Sequence, residues 1–324
     1  MSVRIGESVP IDAKEPRGPH RLALIVATKD RPIELARLLK SVAAQSQSPD
    51  QIVIIDGGTV SARDVIRAFP GLPITYLTSF PPSAARQRNV GLQRLDRFIT
   101  LVGFLDDDAE LARNALEEMM RFWAEAPPRI GGAGFNVTNF SARRPTRLET
   151  YPIAEAIGFS SSRPGAVLAS GFHTPLPHFD RLTRVQWLTS AASIWRKDIF
   201  EQYGFDEAFG AYSYLEDLDL SVRVGRTWEL VVVPGAEFAH WEVPHGRMNR
   251  YRYAMKGVVN RLYLVRKSPE FSLTKAVAVI LIRTALKLFQ GIRYGRWSDV
   301  QWALGNVVGL AKSVIQNPEQ MRWT

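Results

Sequence analysis

The chain has 324 residues, 46% of them hydrophobic, enough to bury a full core. It contains no cysteine, which excludes disulfide frameworks, thiolate catalysis and Cys-based zinc sites. The net charge of +9 is uneven: residues 246–324 hold 14 Lys+Arg against 3 Asp+Glu, and the first 245 hold 27 against 29, so the basic excess sits at the C-terminal end. That asymmetry suggests an anionic surface as partner, membrane or nucleic acid.

The first twenty residues carry no apolar h-region, so no secretory signal is expected. The apolar segment Ala276–Ile282 is too short to span a bilayer, so no transmembrane helix is expected either. Arg21–Thr28 (RLALIVAT) reads as a buried strand, broken by Lys29-Asp30-Arg31-Pro32. Ile33–Val42 has apolar residues at 35, 38, 39 and 42, a helical stripe. Gln51–Ile55 is a second strand ending in Asp56-Gly57-Gly58-Thr59, Val60–Phe69 a helix, and Ile74–Leu77 a third strand. After Pro81-Pro82, a helix opens with Ser83 as its cap, and Arg86 and Asn89 share one of its faces. A helix N-terminus with nearby arginines suits an anionic ligand, although a solvated face is the commoner use of such charges.

Phe98–Asp108 (FITLVGFLDDD) runs from apolar residues straight into three carboxylates. Alternation along a strand puts Asp106 and Asp108 on one face and Asp107 on the other. Two hard oxygen donors at a strand end suit Mg²⁺ or Mn²⁺ that also holds phosphates. An acidic turn capping the next helix explains the same residues. Leu111–Trp123 reads as that helix, Ile130–Asn136 as a strand, and Ser141–Thr183 as an irregular insertion, partly mobile. Val185–Trp195 is apolar and Lys197–Tyr203 a short helix. Glu216 and Asp217 then fall near a helix start, where the helix dipole alone favours acids. Glu229–Val233 is a late strand followed by Ala239-His240-Trp241.

Strand-helix alternation predicts an open, mainly parallel sheet with helices on both faces, and ligands bind outside the carboxyl ends of such strands. The ends at Lys29-Asp30-Arg31, Asp56-Gly57-Gly58 and Asp106-Asp107-Asp108 should therefore converge on one crevice.

Five motifs in order now resemble one family: Thr28-Lys29-Asp30-Arg31, Asp56-Gly57-Gly58, Ala85-Arg86-Gln87-Arg88-Asn89-Val90-Gly91, Leu105-Asp106-Asp107-Asp108, and Gly204-Phe205-Asp206-Glu207 followed by Glu216-Asp217-Leu218-Asp219-Leu220. The pattern is similar to the bacterial inverting glycosyltransferases of the GT-A fold, family 2 type, over about residues 20–245. The resemblance implies a Rossmann-like α/β domain, a nucleotide-diphosphate sugar donor, Mn²⁺ or Mg²⁺, and a glycan or lipid-linked acceptor. It implies donor contacts at Thr28, Arg31, Asp56, Arg86, Asn89, Asp106 and Asp107, with Asp56 on the base and Asp106 near the ribose. It implies metal binding at Asp108 with Asp106, and a third ligand or diphosphate contact at His240. It implies a catalytic pair Glu216-Asp217, with Asp217 as general base. Gly57 stands where the family commonly has a second acid or Asn, which leaves the nucleotide open.

The expected organisation is a polar lead (1–19), the GT-A domain (20–245, with an acceptor-side insertion at about 136–184) and a basic helical extension (246–324). In the extension, Arg247–Lys267 interleaves basic and aromatic residues, and Leu273–Gln290 is more apolar. Such helices can lie in an anionic membrane interface, and with the lipid-linked acceptors that the resemblance implies, the expected location is the cytoplasm, peripheral on the inner face of the cell membrane. Packing on the sheet domain or a homodimer contact is the other reading, and nucleic acid is disfavoured because no recognised motif accompanies the charge. Competing functions are a retaining GT-A transferase, a phosphohydrolase built around Asp56-Gly57-Gly58-Thr59, for which Ile54 replaces the needed nucleophile, and a non-catalytic membrane or nucleic-acid binder.

Overall fold

A computed structural model describes residues 19–140, 151–210, 213–241 and 249–315. Most of the polar lead, residues 141–150 of the insertion and Arg247 lie outside the described residues. Strands β1 (Leu22–Thr28), β2 (Gln51–Asp56), β3 (Ile74–Thr78) and β4 (Leu101–Asp106) pair in parallel in the order β3-β2-β1-β4. The sheet continues antiparallel through β8 (Ala192–Arg196) to β6 (Ile130–Val137), then parallel to β9 (Glu229–His240) and antiparallel to β5 (Ala109–Leu111), with β7 (Thr183–Val185) antiparallel against β9. It is thus an open mixed sheet, parallel in its first half.

The strand residues alternate between two cores. Leu24, Val26, Ile52 and Ile54 face one side with helices α1 (Pro32–Ala43) and α4 (Ala115–Glu125). Ala23, Ile25, Val53 and Ile55 face the other, under α3 (Ala84–Leu92) and α6 (Glu216–Val224), which are numbered with α2 (Arg63–Arg67) and α5 (Pro152–Ala156) between them. Period-two burial on both faces is what a helix-covered sheet requires.

Several boundaries differ from the sequence reading, each for a local reason. The helix expected over Val60–Phe69 shrinks to α2, because the amides of Thr59 and Val60 donate to Asp30 and that of Ala62 to Asp56. The helix expected from Leu111 starts at Ala115. Residues 109–111 instead add to the sheet, with Ala109 opposite His240. The late strand runs to His240, so it carries that histidine beside the acid triplet.

The basic extension forms α7 (Arg250–Lys267), α8 (Leu273–Arg293) and α9 (Trp297–Ile315). Val258, Leu262, Val265, Ala276 and Ile280 make a core of their own, and Leu264 joins Phe209, Leu215 and Leu218. Much of the charge of α7 is turned inward: Lys256 is buried, Arg261 donates to Gly171 O, and Lys267 pairs with Asp206 (2.5 Å) and Asp219 (2.6 Å). The described part of the insertion is tied to these helices, by the Arg261 bond and by Arg283 donating to Phe159 O at 2.7 Å. Among the described residues, no helix is long and apolar enough to cross a membrane.

Helices α7 and α9 approach closely because α9 presents glycines. A Cβ on Gly309 would lie 2.8 Å from Met255 O and 2.8 Å from Val258 Cβ. Gly309→Val should destabilise the protein by about 1–3 kcal/mol through overpacking. Urea unfolding checks this; an unchanged midpoint would mean that the helices can separate without loss.

Candidate active site

A cleft of about 970 Å³ opens at the carboxyl ends of β1 and β4. Thr28 and Arg31 reach it from the end of β1, and Asp106, Asp107 and Asp108 from the end of β4. Parallel pairing of Ala27 with Asp106 sets these two ends side by side. Glu216 and Asp217 enter from α6, and His240 from β9.

Strand β4 stops at Asp106, and Asp107 and Asp108 form the turn into β5; all three line the cleft, so Asp107 does not face away as strand alternation implies. Asp107 turns inward, accepting from Thr28 Oγ1 at 2.8 Å and from Arg31 at 3.0 Å. Burial pushes its carboxyl up to about 7, against the pull of Arg31 and Thr28. Asp108 accepts from Arg31 at 3.2 Å, and its Oδ1 lies 2.9 Å from His240 Nε2. Asp106, Asp108 and His240 each offer a ligand atom within 4.8 Å of the others.

Arg88 organises the other side. Its side chain is 4% exposed, and it donates to Glu216 Oε1 at 2.5 Å and Asp106 Oδ1 at 2.8 Å. The Glu216 carboxylate also accepts from Ser190 Oγ at 3.2 Å. Burial raises the pKa of both Glu216 and Asp217; the Glu216–Asp217 repulsion adds to the rise in Glu216, while the Leu218 amide and Arg88 oppose it at Asp217. The turn before α6 is strained: Ser213 has φ 48° and Leu215 φ 77°, a left-handed backbone rare for a bulky residue. Leu215 is held there by burial against Phe209, Leu218 and Leu264. Asn260 of α7 locks the same turn by donating to Tyr214 O at 2.7 Å.

Three residues assigned to the donor by resemblance are not among those lining the cleft. Asp56 is 2% exposed, and its carboxylate accepts from the Gly58 and Ala62 amides (2.7 and 3.0 Å) and the Tyr76 hydroxyl (2.8 Å). Gly57 follows because a Cβ there would lie 2.8 Å from Pro82 Cβ, so a second acid has no room. Arg86 pairs with Glu207 at 2.9 Å, and Asn89 clamps Phe205 through its amide and carbonyl. Their shared helix face therefore binds the 204–207 segment. The α3 arginine that reaches the cleft is Arg88, which sequence reasoning passed over. Ala85, Arg88 and Gly91 recur every three residues and are all buried, so the spacing alone marks the inward face.

Gln87 was also missed. Its Nε2 donates to Thr28 O (2.9 Å) and Ile55 O (2.7 Å), stitching the ends of β1 and β2. Away from the acids, the cleft is lined by His173, Trp187, Tyr214 and Tyr253. The rings of His173 and Trp187 lie 4.4 Å apart, and burial, then Arg261 and Arg283, lower the His173 pKa to about 3, so it is neutral. Trp195 is packed in the core, and Trp241 lies outside the cleft lining with its Nε1 on Glu110.

The lining fits a divalent cation. Asp30, Asp106, Asp107, Asp108, Glu216 and Asp217 line the cleft beside Lys29, Arg31 and Arg88, so hard oxygen donors outnumber the cations near them. Two carboxylates and an imidazole suit Mn²⁺, and Mg²⁺ by their oxygens.

The sequence of residues 23–190 matches a family model described as Glycosyl transferase family 2. No curated protein matches the chain. Among solved structures, the chain is similar to the mannosyltransferase PcManGT from Pyrobaculum calidifontis in complex with GDP-Man and Mn²⁺. The TM-score is 0.56 at 15% identity, covering 91% of this chain and 87% of that one. It is similar to S. aureus TarS 1–349 in complex with UDP-GlcNAc, with a TM-score of 0.53 at 13% identity over 91% and 80%. It is also similar to GalNAc-T7 with UDP, GalNAc and Mn²⁺, with a TM-score of 0.53 at 12% identity over 81% and 54%.

Asp108→Ala should lose, and His240→Ala weaken, the tight site in a Mn²⁺ titration followed by electron paramagnetic resonance. Unchanged binding in both would remove the metal assignment. Arg88→Met should destabilise the protein by about 3–5 kcal/mol, because it leaves buried carboxylates unpaired. Glu216 has a raised pKa and loses its cation in this variant, so the deficit should grow as pH rises and shrink as pH falls. Urea unfolding at several pH values checks the trend, and a pH-independent deficit would refute it.

Proposed function

We propose, from the premise that the chain belongs to glycosyl transferase family 2 and is a glycosyltransferase of GT-A fold, that it transfers a sugar from a nucleotide-diphosphate sugar to a hydroxyl acceptor with inversion. The observation that carries this reading is the meeting of two acid sets in one cleft: the triplet with His240, and the Glu216-Asp217 pair. Neighbours of the same fold were solved with GDP-Man and with UDP-GlcNAc, which supports a donor of that chemical class.

In this reading, Asp106, Asp108 and His240 would hold Mn²⁺ or Mg²⁺, which would supply positive charge to offset the negative charge of a diphosphate. Arg31 and Arg88 keep the surrounding carboxylates fixed and partly neutralised, so the site does not reorganise as charge develops. Thr28 and Asp107 set the position of Arg31. Asp217 takes the proton from the acceptor hydroxyl. The acceptor oxygen forms its bond to the anomeric carbon as the bond from that carbon to the diphosphate breaks, and the nucleoside diphosphate leaves with the electron pair. One base and no covalent nucleophile give single displacement, hence inversion. Glu216, fixed by Arg88 and Ser190, positions the start of α6 and so Asp217.

The aromatic end of the cleft supports a sugar-bearing acceptor, a glycan or a lipid-linked saccharide, because flat rings such as Trp187 and Tyr253 suit apolar sugar faces. The cellular role is synthesis of a bacterial surface polysaccharide or glycolipid. The enzyme then works on the cytoplasmic side, peripheral to an anionic membrane.

Asp217→Asn should keep Mn²⁺-dependent binding of a nucleotide sugar and lower transfer about 10²–10⁴-fold. Because burial raises the Asp217 pKa, and the base acts when deprotonated, transfer by the parent enzyme should fall on the acid side at a pH above the ordinary carboxylate range. Calorimetry and a pH–rate profile across a donor panel check both. Normal transfer by Asp217→Asn would sink the assignment of the base.

A further inference from the structure

Helices α8 and α9 each have one side buried and another apolar side in water. The buried sides are satisfied: Ala276 and Ile280 pack on α7, and Asn306 donates to Thr284 at 2.9 Å. On the outer side of α8, Leu281, Leu288 and Ile292 follow helical spacing, with Phe289 beside them. Ile292 is 73% exposed and Phe289 63%. On α9, Trp297 and Leu304 lie seven residues apart, and Ile315 continues the same face. Large apolar side chains gathered in this way on the surface mark an interaction face.

Charge selects what covers it. Between 271 and 315 the sole carboxylate is Asp299, which is 9% exposed and accepts from Lys287 at 2.7 Å. The exposed charges there, Lys275, Arg293, Arg296 and Lys312, are all positive. At the α8–α9 turn the Arg293 and Arg296 guanidinium groups sit 5.7 and 5.2 Å from the Tyr294 ring, next to exposed Trp297. An apolar face with an aromatic and cationic rim matches the acyl–headgroup boundary of an anionic bilayer. A second copy fits less well, since a twofold contact centred on the turn would set its arginines against their counterparts.

We propose that the α8–α9 face docks in the plane of an anionic lipid surface. This rests on the peripheral location proposed above for the choice of occupant, and its test reads lipid binding instead of transfer. The full chain is sedimented with vesicles of phosphatidylcholine, alone or mixed with phosphatidylglycerol. The parent should bind the mixed vesicles and bind phosphatidylcholine weakly. Arg293→Ala with Arg296→Ala should lower binding to mixed vesicles about fivefold for each arginine. Phe289→Asp with Ile292→Asp should lower it further. These side chains face water, so thermal melts and nucleotide-sugar hydrolysis should match the parent. Failure of the parent to bind mixed vesicles, or parent-like binding by both variants, would overturn the proposal. So would a dimer that Phe289→Asp with Ile292→Asp splits in the absence of vesicle binding, which would make the face a subunit interface. Loss of hydrolysis in every protein with vesicle binding intact would count against the transferase reading alone.

Discussion

The Arg88 guanidinium is the contact on which the site depends. It is buried, and its two arms reach carboxylates that are far apart in the chain, Asp106 at the end of β4 and Glu216 at the start of α6. A buried ion pair is weak evidence of stability, since desolvation offsets most of its attraction. Its effect here is geometric: it fixes the distance between the triplet and the acid pair. The same helix makes a second tie from its other face, where Asn89 clamps Phe205 and Arg86 meets Glu207. Helix α3 is thus a rivet between the parallel half of the sheet and the segment leading to α6.

The C-terminal helices complete that segment. Asn260 holds the strained turn before α6, and Lys267 links Asp206 to Asp219 on either side of it. Left-handed backbone at Ser213 and Leu215 costs about 1–3 kcal/mol each and persists where surroundings over-determine it. Here those surroundings come partly from α7. The charge that looks like a surface feature in composition is therefore split. One part is internal bracing on α7, and another is the exposed rim of α8 and α9.

The parallel strands were legible because short, branched apolar runs leave few alternatives, and β1, β2 and β3 fall within a residue or so of expectation. The triplet was legible as a strand end, but β4 stops at Asp106, so the facing of Asp107 and Asp108 is set by the turn into β5 and by Arg31. What failed was anything set by long-range contacts. Residues 109–111 look like a helix start until the end of β9 supplies hydrogen-bond partners. Arg86 and Arg88 are equivalent by composition, and only helix phase separates the one that meets Glu207 from the one beside Asp106. Asp56 stands at a strand end like the triplet, yet three local donors use its carboxylate in folding its own loop.

Electrostatics connects these findings to the chemistry. The cleft is lined by six carboxyl groups and three cations, and although burial raises the pKa of Asp107, Glu216 and Asp217, a diphosphate there gains from added positive charge. The fold does not add it with more arginines, because those present are already engaged: Arg31 with Asp107 and Asp108, Arg88 with Asp106 and Glu216. Only Asp106, Asp108 and His240 form a ligand set among the described residues. A divalent ion held there would add positive charge beside the carboxylates, while burial keeps the pKa of Asp217, at the start of α6, raised. Placing both requirements in one cleft needs the two acid sets close but separately neutralised, and Arg88 is the residue that does so.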